Sequence, residues 1–302
     1  MNSKSKVHAP TNVLSPSSAP LRNEGPSIQV VVTGASGFLG RALMDCLAKR
    51  DLPALGVSRG YIPGLLHVDS YEEAPSGDIL VHLAEISDRS IAQASAPHYE
   101  ERALATLEAL QAKSFSRVIY ASSAVLYGDQ EHLPRKVGDP VYGTDAYTRL
   151  KLAAERSVVA RNGVVARLAN IYGPGMAEGN VVSAILQQLP NEGPVRVLHA
   201  TPVRDFLWIE DAARAIADMV VGTACGIFNV GSGKGVSIHE LATEILCAAG
   251  QTEREVESCF STNRFSRLVL DSAETEAVFG WRPAVDLVQG IAMLLKWNKT
   301  KE

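Results

Sequence analysis

The chain has 302 residues, 46% hydrophobic and 21% charged, with 29 Lys and Arg against 33 Asp and Glu for a formal net charge of −4. Those values fit a folded chain of one large domain or two and give no basic excess for neutralising a phosphate backbone, so no nucleic acid partner is expected. The most apolar stretches, Gln29 to Thr33 and Ile291 to Leu295, fall far short of the ~20 residues of a membrane helix.

Residues 1–27 repeat Ser, Pro, Asn and Ala without helical or strand period and read as a disordered leader. They lack the apolar core of at least ~7 residues that a signal peptide needs, so the expected location is the cytoplasm. From Ile28 the β-branched run to Thr33 predicts a strand, followed by glycine turns and the helical pattern Phe38, Leu39, Leu43, Leu47. Further strands are predicted at Ala54–Val57, Asp78–Leu83, Arg117–Ala121 and Val164–Leu168. Helices are predicted at Tyr99–Ala112 and Asp145–Arg161. Such alternation implies right-handed crossovers and a doubly wound α/β domain with a parallel sheet, spanning 28–173 with later segments returning to it. After Gly173 the rhythm loosens into helices at Val181–Leu189, Asp211–Val221, Ile238–Ala249 and Leu287–Trp297 and a strand at Val195–Leu198. This second part, 174–302, reads as a smaller mixed lobe. Asp211 is expected to cap its helix and Trp208 to lie in the core.

At the first strand-to-helix turn, Thr33-Gly34-Ala35-Ser36-Gly37-Phe38-Leu39-Gly40 places three glycines three residues apart. Glycine there permits positive φ, close approach of backbone to a pyrophosphate and tight helix–strand packing, while the helix N-terminus offers free N–H groups. The second strand ends in Gly56-Val57-Ser58-Arg59, a hydroxyl and a guanidinium with no acid, which favours NADP over NAD at the ribose; the alternative is an arginine pointing into solvent. Asp69 is placed to accept from an adenine amine or to cap a loop.

Tyr147 and Lys151 stand at i and i+4 on a predicted helix and so share one face. A nearby ammonium stabilises a phenolate, which makes a tyrosine a usable general acid or base. Upstream, Ser122 and Ser123 fall at the C-terminal end of a strand, the ligand-binding edge of an open α/β sheet. No H-x-x-x-H spacing or compact carboxylate cluster is present, and no metal is expected. The four dispersed cysteines, Cys46, Cys225, Cys247 and Cys259, without a C-x-x-C pair, are read as core thiols in a reducing compartment.

Taken in order, the G-x-x-G-x-x-G turn, His82-Leu83-Ala84, Ser122-Ser123-Ala124-Val125-Leu126-Tyr127-Gly128, Y-x-x-x-K, Arg167 to Pro174 and Arg204-Asp205-Phe206 resemble an extended short-chain dehydrogenase/reductase. More narrowly they resemble the NAD(P)-dependent epimerase/dehydratase branch acting on nucleotide sugars. The resemblance runs from Ile28 to about Trp297. It implies a Rossmann-type domain with a C-terminal substrate lobe, and a homodimer formed through the Y-x-x-x-K helix and the helix near Tyr99–Ala112. It also implies Tyr147 as acid/base, Lys151 as ligand of the nicotinamide ribose, and Ser123, with Ser122 as its rival, as partner of the reacting oxygen. Gly34, Ser36, Gly37, Phe38, Leu39, Gly40, Ser58, Arg59, Asp69, Leu83 and Ala84 are the further cofactor-binding candidates. Asn170, Arg204 and either Arg264 or Arg267 fall where relatives hold the substrate diphosphate.

Ala124 and Val125 stand where the 4,6-dehydratases carry Asp and Glu, which disfavours dehydration. Two positions depart from the family pattern: Glu85 replaces a small residue near the cofactor, and Arg102 stands where an asparagine commonly sits on the helix facing the site. Glu85 is expected to pair with a nearby cation, Arg102 being one candidate. The resulting expectation is NADPH-dependent reduction of a nucleotide-linked 4-keto-6-deoxyhexose. The alternatives are a 4-epimerase with bound NAD(P) and a non-catalytic NADP(H)-binding regulatory module.

Overall fold

The structure is a computed structural model that describes residues 29–300 except 87, 97, 262 and 263; the expected leader and Ile28 lie outside the described residues. Six strands appear in the first part of the chain: β1 Val30–Thr33, β2 Ala54–Ser58, β3 Leu66–His67, β4 Ile79–His82, β5 Arg117–Ser123 and β6 Val164–Leu168. Seven follow: β7 Asn170–Tyr172, β8 Val195–Val197, β9 Val203–Trp208, β10 Gly226–Val230, β11 Gly235–Ser237, β12 Val256–Ser258 and β13 Arg267–Leu268. Between them run helices α1 Phe38–Ala48, α2 Arg89–Ala94, α3 His98–Gln111, α4 Ala146–Val159, α5 Val181–Leu186, α6 Ile209–Val221, α7 Ile238–Ala248, α8 Ala273–Phe279 and α9 Leu287–Lys299.

The main sheet is parallel, in the order β10-β6-β5-β4-β1-β2-β3. Its strands are apolar on both faces because both are covered. Val30 and Val32 pack with Leu43 and Leu47 of α1 and Ala212 and Ile216 of α6, whereas Val31 between them packs with Leu107 and Leu110 of α3 and Ala154 and Val158 of α4. The strand order reverses between β1 and β4, which run parallel with Val32 opposite Val81. A crevice therefore opens at their C-terminal ends, the usual ligand position in a doubly wound sheet. This is the Rossmann-type arrangement expected.

A smaller mixed sheet is centred on β9, antiparallel to β11 and parallel to β7 and β13; β8 pairs with β12 beside it. Its core gathers Tyr172, Phe206, Trp208, Ile238, Leu241 and Ile291. Trp208 is buried as expected. Asp211, by contrast, is not the cap of α6: Trp208 holds the N-cap position without a side-chain bond. Asp211 lies buried in the first turn, accepting from the N–H groups of Ala284 and Val285 and from Arg214. It ties α6 to the segment leading into α9. The cysteines also differ from expectation, since Cys46 is half-buried and Cys225, Cys247 and Cys259 are exposed; each sits near an element's end or edge, where small apolar side chains need not reach the core. Among the described residues no helix is long and apolar enough to cross a membrane.

Candidate active site

The crevice widens into a cavity of about 1020 Å³ lined by the glycine turn, the ends of β4, β5 and β6, and residues of the smaller lobe. Gly34 has φ +75°, and a Cβ there would come within 2.9 Å of the Ala84 amide nitrogen; a Cβ on Gly40 would stand 2.2 Å from the Gly34 carbonyl oxygen. Only glycine lets the turn close on β4 and lets α1 pack against it. The N-cap of α1, Gly37, supplies no side-chain hydrogen bond. The first-turn N–H groups are therefore available to an anion at the positive end of the helix, beside the cavity-lining Phe38, Leu39 and Gly40.

Of the other cofactor candidates, Ser36, Ser58, Arg59 and Asp69 lie outside the cavity lining. Ser58 Oγ donates to Ser36 Oγ at 2.9 Å, linking the turn to the end of β2. Arg59 is exposed, its guanidinium 5.3 Å from the centre of the Tyr71 ring. Asp69 is exposed and stands 3.5 Å from His67 Nε2. Leu83 lines the cavity, and Ala84 lies against Gly34.

Tyr147 and Lys151 are both buried in the inner face of α4 and both line the cavity. A capping box at Asp145 and Thr148 starts this helix, so Tyr147 falls in its first turn. Lys151 Nζ lies 2.6 Å from the Ala121 carbonyl oxygen and 2.7 Å from Glu85 Oε2, over the rings of Tyr120 at 4.7 Å and Tyr147 at 5.5 Å. Burial works most strongly against the ammonium, but Glu85, Tyr147 and Glu155 together outweigh it and raise the lysine above its ordinary value. Tyr120 Oη donates to the same carboxylate at 2.8 and 2.9 Å from its two oxygens. Burial and that negative charge hold the Tyr120 phenol well above the usual range. The cation paired with Glu85 is thus Lys151 and not Arg102, which is exposed on α3. Sequence distance concealed the pairing because the end of β4 meets α4 only across the sheet edge.

The two strand-end serines diverge. Ser122 points into the protein and donates to Glu155 at 2.5 Å. Glu155 is in turn paired with Arg167 at 2.6 Å, and Arg167 donates to Tyr127, which donates to Asn229. Ser123 is half-buried at the cavity, accepting only a long 3.4 Å bond from the Val125 N–H. Alternation along β5 puts adjacent side chains on opposite sides; both serines line the cavity, but the Ser122 hydroxyl is committed to Glu155 whereas that of Ser123 is not.

Of the diphosphate candidates, Arg204 on β9 and Asn170 on β7 line the cavity, whereas Arg264 and Arg267 do not. Asp129 joins two of them: its carboxylate lies 3.4 Å from Arg204 and 2.8 Å from Arg264. Burial raises the Asp129 carboxyl, but bonds from Ser266 and Gln130 and the two guanidinium charges bring it below the ordinary value. Sequence reading missed Asp129, Tyr120 and Glu155, and also Arg196, His199 and Cys259 at the far end of the cavity. The last three come from short segments with no motif; Tyr120 alone had a usable signal, two residues before the serine pair on a strand.

The family model described as the NAD dependent epimerase/dehydratase family matches residues 30–231. The chain belongs to that family and is an enzyme of it. It is 26% identical to the UDP-glucose 4-epimerase of Mycolicibacterium smegmatis, over 91% of this chain and 99% of that protein. It is 29% identical to the GDP-6-deoxy-D-mannose reductase of Pseudomonas aeruginosa, over 89% and 97% respectively. A solved structure of RMD from Pseudomonas aeruginosa complexed with NADPH superposes with a TM-score of 0.80 at 25% identity, covering 91% of this chain and all of that one.

Proposed function

We propose that this enzyme uses NADPH, with NAD as the alternative, to reduce the C4 ketone of a nucleotide-linked 4-keto-6-deoxyhexose. The observation that carries this reading is the gathering of Tyr147, Lys151 and Ser123 on one cavity with the uncapped glycine turn. The residues fit the dinucleotide: the turn is a cradle that any Cβ at Gly34 or Gly40 would obstruct, and Ser58 and Arg59 at the end of β2 offer a hydroxyl and a cation to a 2′-phosphate with no competing acid.

Gly34, Gly37 and the first turn of α1 would hold the pyrophosphate, and Lys151 the nicotinamide ribose. Bound NADPH supplies the hydride. Tyr147 gives its phenolic proton to the ketone oxygen as negative charge develops there, and Ser123 donates a hydrogen bond to the same oxygen. Arg204 and Asn170 hold the diphosphate, keeping the sugar carbon against the reactive face. Ala124 and Val125 bring no acid or base for eliminating water, consistent with reduction without dehydration. The likeness to a UDP-glucose 4-epimerase supports a second reading, in which the same groups oxidise C4 and reduce it again on the other face.

Incubation with nucleotide sugars separates the two. Stoichiometric loss of NADPH with a 4-keto-6-deoxyhexose nucleotide is expected, and isomer formation without added cofactor would instead establish epimerisation. Tyr147→Phe should keep dinucleotide binding and slow turnover by roughly 10²-fold or more; near-normal turnover would remove Tyr147 from the mechanism.

A further inference from the structure

The ion pair between Lys151 and Glu85 is enclosed, with side chains only 7% and 5% exposed. Among the described residues, the titratable groups that face it come from four elements. Residues from β4 and its end contribute His82 and Glu85, β5 contributes Tyr120, α3 contributes Tyr99, and α4 contributes Tyr147 and Glu155 beside Lys151 itself. Glu155 is committed to Arg167. His82 is buried and held down to about 4, so it is neutral near pH 7. The phenols of Tyr99 and Tyr120 are both pushed up, chiefly by burial. What remains beside Tyr147 is one ammonium and the carboxylate 2.7 Å from it.

We propose that Glu85 is a positioning residue that cancels the Lys151 charge next to Tyr147 and so weakens the pull of that ammonium toward the phenolate. A bare ammonium 5.5 Å from the centre of the Tyr147 ring would favour the phenolate. The same ammonium with a carboxylate against it acts as a dipole, whose field falls off faster than that of a single charge. Ala121 and Tyr120 hold the pair in place, one accepting from Lys151 and the other donating to Glu85. Reduction starts from the protonated phenol: the O–H bond of Tyr147 breaks as an O–H bond forms on the substrate oxygen, and solvent returns the proton to the phenolate afterwards. Oxidation, which would start from the phenolate, is correspondingly disfavoured. The inference deepens the reductase reading and rests on it for its functional meaning, though not for its test.

That test is an ultraviolet titration of phenolate in the cofactor-free protein. Wild type minus Tyr147→Phe isolates the ionisation of Tyr147, and Glu85→Gln minus Glu85→Gln/Tyr147→Phe isolates it without the carboxylate charge. The Gln background should shift the Tyr147 phenolate to lower pH by roughly one unit, the scale of a nearby charge. Coincident titrations would overturn the proposal and leave Glu85 a structural partner of Lys151. If thermal melting shows that Glu85→Gln does not fold, Glu85→Asp, which draws the charge back by one methylene, should give a smaller shift in the same direction; no shift there overturns it equally. Because no turnover is measured, failure here is distinct from failure of the reductase reading, which the Tyr147→Phe assay decides.

Discussion

Two buried carboxylate–cation clusters flank the end of β5, and they differ in what they face. Glu155, Arg167 and Ser122 close on one another inside the protein, with Tyr127 and Asn229 completing the chain of donors. Glu85, Lys151 and Tyr120 have the same composition of acid, cation and hydroxyl, yet here the ion pair itself, with Tyr120 buried behind it, lines the cavity beside Tyr147. The contrast shows that chemistry alone does not mark a catalytic group. A satisfied network in the core fixes the register of β5, β6 and α4, whereas the same groups at the sheet's C-terminal edge are left within reach of a ligand.

Removing Glu155 should give the largest effect and confine it to stability. Glu155→Ala leaves the Arg167 guanidinium buried without its partner, so unfolding titrations should show a loss of about 3–5 kcal/mol. A loss under about 1 kcal/mol would mean that water replaces the carboxylate and that the inner cluster is not closed.

His82 sharpens the boundary between the clusters. It is buried against Thr33 at 2.8 Å, and burial lowers it from 6.5 to about 4. Between those values the unfolded chain binds more protons, so stability should be fully present above about pH 6.5 and fall as pH drops toward 4. The sum of that loss is on the order of 3 kcal/mol. Thermal melts of wild type and His82→Gln across this window test it: the slope should flatten in the variant.

The serines should split in the same way as the clusters. Ser123→Ala is expected to lower turnover by about 10²-fold at unchanged stability, the scale of one lost donor to a developing oxyanion. Ser122→Ala should instead cost about 1–3 kcal/mol of stability, as Glu155 loses a donor, with turnover largely kept. The reverse pattern would exchange their roles. The smallest effect is expected at the outer end of the dinucleotide site, where Arg59→Ala should weaken NADPH binding about tenfold and NADH binding little, measured as the ratio of their dissociation constants.

Much of this was legible before any coordinates. Local spacing carries the glycine turn, the i, i+4 placement of Tyr147 and Lys151 and the alternation that makes a parallel sheet, because each depends on the backbone geometry of one element. The strand β9, which holds Arg204, and the choice of β10 as the segment that returns to the main sheet were not legible: both depend on distant partners, β10 pairing with β6 across some sixty residues of chain. Ser122 stood as a rival to Ser123 in sequence; the fold commits the Ser122 hydroxyl to Glu155 and leaves Ser123 with one long bond.

Sequence by itself therefore determined the fold class and supplied the candidate side chains for the proposed reaction, since periodicity and motif order are properties of neighbouring residues. Tertiary structure alone decided the electrostatics, setting Glu85 rather than a solvated helix face against Lys151 and drawing Asp129 between Arg204 and Arg264. The reason is that charge interactions act through space over a few ångströms, and the partners that come that close are chosen by how strands and helices cross, not by their order along the chain.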